Sequence, residues 1–279
     1  MKKILLLILI MTSFFCTAQS KKELDFKVRY KPETNYMQSV DQNTVTTIKY
    51  AGSEDFLEKL KAKGYQNPMV TNQKSTIESV LKTGKLIDKT HFPITIEFKN
   101  TPVVDGKKII PDATIIYGKG TLETLPSLDS IVAEGMDEGF KKGFLQSMQS
   151  MFSQLSFPDQ SLNIGQSFTQ ESPLSIPIAG TKVDMKISTT YKLLSIANGT
   201  ADFDVSQVYT INTVVTGYKL DATGNGKGKM VYDIKNNYYL KYNVDTDLKM
   251  DMKVDQFSMD LSTKSSVNQT FSISKNTGK

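Results

Sequence analysis

Between Tyr238 and Ile273 apolar and polar residues alternate, and the phase of the alternation flips once. The even positions Tyr238, Leu240, Tyr242, Val244, Leu248, Met250, Met252 and Val254 are apolar. After Asp255 and Gln256 the apolar set moves to odd positions: Phe257, Met259, Leu261, Val267, Phe271 and Ile273. A period of two predicts strands with one buried face. The flip is what a two-residue turn at Asp255-Gln256 would produce. It places Val254 opposite Phe257, Met252 opposite Met259 and Met250 opposite Leu261 on a single face. A strand from 238 to 254 would span ~56 Å at ~3.3 Å per residue, well beyond the usual length. Such a ribbon has to twist and curl, and its apolar face needs a cover.

Shorter alternations run through the rest of the chain. "LDFKVRY", "TVTTIKY", "ITIEF" and "ATIIYG" read as strands in the first half, and "TKVDMKISTTYKLLSI", "ADFDVSQVYTI" and "KMVYDI" in the second. Asp105-Gly106, Asn198-Gly199 and Asn236-Asn237 supply turns. A short helix is expected from Phe56 to Lys63, capped by Ser53 and stopped by Gly64.

Between Pro126 and Pro158 the period changes. Leu128, Ile131, Val132, Met136, Phe140, Phe144, Leu145, Met148, Met151, Phe152 and Leu155 recur at three and four, which predicts one amphipathic helix of ~43 Å lying on the ribbon as its cover. Beside this row runs a stripe of small residues, Gly135, Gly139, Gly143 and Ser147. Glycine disfavours a helix by ~0.5–1 kcal/mol against alanine, so the stripe suggests close packing on the sheet, a groove left open for a guest or a flexible lid. Asp129, Glu134, Asp137, Glu138, Lys141 and Lys142 exclude a lipid-buried span.

The first residues change the picture of where the chain works. Lys2 and Lys3 precede an apolar run from Ile4 to Met11 and then small and polar residues. This is the pattern of a secretory signal peptide over 1–18, with cleavage before Gln19. Lipidation of Cys16 is the alternative, disfavoured because Phe15 occupies the position where a small residue is wanted. Cys16 is the one cysteine of the chain, so the exported form would have neither disulfide nor thiol nucleophile. The formal charge is +5, nearly all of it from scattered lysines, with Arg29 the sole arginine. That argues against a nucleic-acid partner.

Candidate chemistry is sparse. His91 in "THFPI" has no second histidine or cysteine to make a metal site. "SVLKTG" from Ser79 to Gly84 offers the fragments Ser-x-x-Lys and Lys-Thr-Gly, but both share Lys82. "DATGNG" places Asp221, Thr223, Asn225 and Gly226 at calcium-loop spacing, but Tyr232 stands where the bidentate glutamate belongs, and a turn between strands is the simpler reading. No catalytic residue, metal or cofactor is expected.

The signal ending in "CTAQ", the lysine- and asparagine-rich chain, the "LNIGQSFTQ" segment before a hairpin and the closing strands resemble the uncharacterised exported proteins, many of them lipoproteins, of Bacteroidetes. A helix on a curled antiparallel sheet also looks like the half-barrel of periplasmic lipoprotein carriers and lipid-binding lipoproteins. The expected fold is therefore α+β, with curled antiparallel β-sheets, as a half-barrel or two lobes, wrapped around one long amphipathic helix. The expected organisation is a signal peptide over 1–18, a β-rich lobe over 19–125, the helix over 126–156 and an antiparallel meander over 157–279. The expected function is non-enzymatic: an exported envelope protein, periplasmic or secreted, that binds an apolar or lipid-like ligand between helix and sheet. Phe140, Phe144 and Met148 on the helix and Met250, Met252, Met259 and Leu261 on the ribbon are the candidate ligand-binding residues. Peripheral association with the envelope fits the same picture. The alternative is a structural or interaction protein with a filled core.

Overall fold

The computed structural model describes residues 23–276 apart from 105, 109, 155–156, 158, 179–180, 212–218 and 255–256. The expected signal peptide, Cys16, Gln19 and the Asp255-Gln256 turn lie outside the described residues.

An 11-stranded antiparallel sheet dominates the molecule. Its centre is the ribbon: β14 (Tyr238–Val254) pairs with β15 (Phe257–Lys275), and Met250 faces Leu261, Met252 faces Met259 and Val254 faces Phe257, as the alternation predicts. On one side follow β13 (Lys219–Asp233), β12 (Thr200–Ile211), β11 (Thr181–Ala197) and β10 (Ser167–Ile178). On the other, β15 pairs with β2 (Thr34–Gly52), followed by β3 (Met69–Thr83), β4 (His91–Asn100), β7 (Ile115–Thr121) and β8 (Ser127–Val132). The β15–β2 pairing thus joins the first and second halves of the chain in one sheet. Two small pairs stand apart: β1 (Glu23–Phe26) with β9 (Gln160–Asn163), and β5 (Val103–Val104) with β6 (Lys107–Lys108).

The local signals explain several junctions. Asn198 and Gly199 both have positive φ, 52° and 81°, the conformation that a tight hairpin between β11 and β12 needs. Helix α1 (Glu54–Ala62) starts where the Ser53 hydroxyl accepts from the Phe56 N–H at 3.3 Å and ends before Gly64 at φ 83°.

The α+β expectation of a sheet wrapped around one long helix is corrected. Among the described residues there are two helices, of 9 and 17 residues, and the segment expected as a helix over 126–156 is divided. Its first part is strand β8, which pairs with β7; its second is helix α2 (Glu138–Gln154). Leu128 and Ile131 mimic a helical spacing of three because β8 carries a bulge: Gly118 pairs with Leu128 and Tyr117 with Ser130, leaving Asp129 as the extra residue. The extra residue turns two side chains three apart onto the same face, and both pack on the core. Gly135 then adopts φ 70°, which interrupts any continuous helix, and the Asp137 carboxylate caps α2 by accepting from the Phe140 N–H at 3.1 Å.

The glycine stripe is corrected with it. Gly135 lies outside α2, Gly139 and Gly143 are exposed, and a side chain at Gly143 would meet nothing within 4 Å. Close-packing glycines stand elsewhere, among them Gly118 and Gly120 on β7 and those in "DATGNG" and just beyond it, a stretch that is the interior of β13 and not a turn. A Cβ on Gly228 would sit 1.8 Å from the Asn243 carbonyl oxygen, and one on Gly226 2.8 Å from Gln207 Oε1. Bare positions on β13 let side chains of β12 and β14 close over it.

The main core draws on both flanks of the sheet, from Phe168 and Tyr191 on β10 and β11 to Ile96 and Ile116 on β4 and β7. Gln170 of β10 and Gln269 of β15, five strands apart, line one hollow of about 190 Å³, which strands spaced ~4.8 Å apart could not do if the sheet were flat, so it bends there. What fills the bend is the β1–β9 pair and α2 together. Phe26 is fully buried, and its ring meets Phe157, Phe168, Phe203 and Tyr232 at 5.0–5.5 Å. Phe152 of α2 meets Tyr30 at 6.1 Å. Arg29 clasps the Asp159 carboxylate at 2.7 Å and ties the start of the chain to the segment after α2.

Candidate functional site

Beneath α2 the sheet is floored by tyrosines. The β13–β14 pairing shifts register between Val231 and Tyr232, so that Tyr232 pairs with Tyr239 while Val231 pairs with Lys241. This bulge departs from strict alternation at the base of the ribbon, and Tyr238 and Tyr239 are both buried, stacked at 4.7 Å. Tyr30 and Tyr36 close the cluster, and the Tyr30 and Tyr238 hydroxyls hydrogen-bond at 2.8 Å.

Rings of fixed shape leave spaces between them. One hollow of about 220 Å³ lies between Met148 and Phe152 of α2 and a floor of Tyr30, Tyr36, Leu81, Ile96, Tyr238 and Phe271, with Gln38 and Ser79 at its side. A second, of about 190 Å³, is bounded by Phe157, Ile187, Tyr191, Met230 and Tyr242, with Gln170, Thr189 and Gln207 as its polar groups. Tyr239 and Gln269 belong to both linings, so the two hollows adjoin across these side chains and together make up the groove. Singly they fall below the ~300 Å³ at which ligand sites usually begin, so a guest of that size would have to reach across both, past Tyr239 and Gln269. Larger depressions of about 420 and 490 Å³ lie over the polar middle of the sheet, lined by residues such as Asn43, Asp247, Lys264 and Ser75. Their lining has the charged, hydrogen-bonding character of solvated surface, so the smaller groove is the better candidate for an apolar guest.

The polar groups in the groove are neutral, and some of their hydrogen bonds are long. Gln207 donates through Nε2 to the Thr189 hydroxyl at 3.3 Å and to the Tyr242 hydroxyl at 3.4 Å, and its Oε1 accepts from the Tyr209 hydroxyl at 3.0 Å. Ser79 donates to Gln38 at 3.5 Å. Burial pushes the Tyr242 hydroxyl up to about 12 and drives Tyr30, Tyr191, Tyr238 and Tyr239 upward as well, because a phenolate has little water to solvate it there. The groove therefore keeps its phenols neutral at ordinary pH.

The residues expected to form the site fall into two groups. Met148 lines the groove; Phe144 packs against Phe98 at 5.9 Å; Phe140, nearly half exposed, stacks on Phe144 outside it. Met250, Met252, Met259 and Leu261 sit at the far end of the ribbon. There Met250 and Met185, each 1 % exposed, form a separate cluster with Tyr209, Leu220, Ala222, Leu248 and Leu261 packed around it. Helix and methionine row thus belong to different clusters. The tyrosines and glutamines of the groove were not singled out by sequence reasoning. Gln38, Gln207 and Gln269 occupy the apolar phase of their strands, and amides in that phase were the available sign.

His91, the first residue of β4, stands exposed beside Asp88, with Nδ1 2.9 Å from Oδ2. The Thr90 and His91 N–H groups hold the Asp88 carboxyl well below the usual range, at about 2. Among the described residues no group of three or more His, Cys, Asp or Glu side chains is placed to hold a metal ion.

The chain matches no known protein-family model and no curated protein sequence.

Proposed function

We propose that this is a non-enzymatic exported protein of the cell envelope that binds an apolar or lipid-like molecule in the groove between α2 and the tyrosine floor. The observation that carries the reading is the lining: aromatic and aliphatic side chains broken by a few neutral polar groups, beneath a short helix. Export rests on the signal-like first residues, and peripheral association with the envelope follows from the same compartment. A second reading, a structural protein with a filled core, draws support from the methionine cluster, where Met185 and Met250 are almost wholly buried.

Titration with a fluorescent acyl probe separates the two. Saturable binding by the wild-type protein, weakened by Met148→Glu and retained by Lys249→Asp on the exposed phase of β14, is expected for the binding reading. Native mass spectrometry of the purified protein should then show a co-purified lipid. Absence of saturable binding by the wild-type protein leaves the filled-core reading.

A further inference from the structure

We infer that the groove selects a neutral amphiphile, an acyl chain joined to an uncharged hydrogen-bonding head such as a glycerol ester, over a free fatty acid or a phosphate-bearing lipid of the same chain length. The inference rests on the acyl-binding reading and narrows its ligand class. In a chain with 23 % charged residues, no Asp, Glu, Lys, Arg or His among the described residues lines either hollow. A carboxylate or phosphate brought into such a lining loses its water and finds no cation, a penalty that an ester or alcohol avoids. The sole arginine, Arg29, is already engaged with Asp159.

The lining also supplies what a neutral head needs. Gln207 and Gln269 carry amides that both donate and accept, and Thr189 adds a hydroxyl. The contacts of Gln207 to Thr189 and Tyr242, at 3.3 and 3.4 Å, lie beyond the usual range for such bonds, so exchanging them for bonds to a guest loses little. Gly226 opposite Gln207 provides the room, since a side chain there would press on the Gln207 amide.

The test is a set of parallel titrations of the intact protein with a monoacylglycerol, the fatty acid of the same chain length and the corresponding lysophosphatidylglycerol, each below its micelle concentration. The monoacylglycerol is expected to bind about ten-fold or more tightly than either anion at neutral pH. Fatty-acid affinity is expected to rise as pH falls and the carboxyl protonates. Gln269→Lys should shift the preference toward the fatty acid, with an unchanged thermal transition certifying the fold. Equal or tighter binding of the anions by the wild-type protein overturns neutral selection but leaves acyl binding intact. Failure of all three to bind overturns the acyl-binding reading itself.

Discussion

The two ends of the sheet's buried face are both apolar, yet one is built of rigid rings beside hollows and the other of flexible thioethers. At the tyrosine end, rings from the loop after β1 and from β2, β11 and β14 surround a groove. At the methionine end, Met250, Met252 and Met259 are buried to 1–6 % exposure with Met185 and Leu261 among their neighbours. The difference follows from side-chain mechanics. Methionine has three flexible bonds and flows into irregular space. Planar rings meet at edges and leave gaps, and phenolic hydroxyls must reach partners as well as pack. Apolar content alone does not distinguish a site from a core.

The comparison can be broken by mutation. The largest effect is expected for Phe26→Ala, about 3–5 kcal/mol of lost stability by chemical denaturation, because that ring joins β1 to β10, β12 and β13. A loss below ~1 kcal/mol would show that the β1–β9 pair does not hold the bend. Met250→Ala should cost about 2–3 kcal/mol while acyl-probe affinity stays within about two-fold of wild type. A clear loss of affinity with the fold preserved would join the methionine end to the site.

Alkali probes the tyrosine end. A phenol whose folded value lies above its unfolded value of ~10 favours the folded state fully below pH 10, and that contribution disappears as pH rises through the folded value. With Tyr242 at about 12 and its neighbours also raised, stability should fall between pH 10 and 12 as tyrosinate absorbance appears cooperatively. Ionisation of the groove's own tyrosines near pH 10 with the fold intact would mean the groove admits water freely. The smallest effect is expected at Gly143→Ala, a gain of about 0.5–1 kcal/mol in thermal or chemical denaturation, since the position is exposed and helical. Destabilisation there would restore a packing role for the small-residue stripe.

How much was legible varies by element. The ribbon, its register and the α1 caps could be read directly, because period two and a capping serine act over a few neighbouring residues. The segment over 126–156 misled because a bulged strand and a helix both place Leu128 and Ile131 on one face. The groove was the least legible part, since Tyr30, Tyr191, Tyr239 and Gln269 lie far apart along the chain and nothing in their local context sets them together.

The sequence by itself determined the alternation of β14 and β15, the positive-φ hairpin at Asn198-Gly199 and the polarity of each strand face, all consequences of short-range sterics and of keeping apolar side chains from water. Only the tertiary structure decided that β15 would pair with β2, that β1 and β9 would share the work of covering the sheet with α2, and that tyrosines would leave a groove where methionines fill a core. Those outcomes depend on how rigid and flexible side chains from distant segments share one volume, a property of the packed whole that no local period encodes.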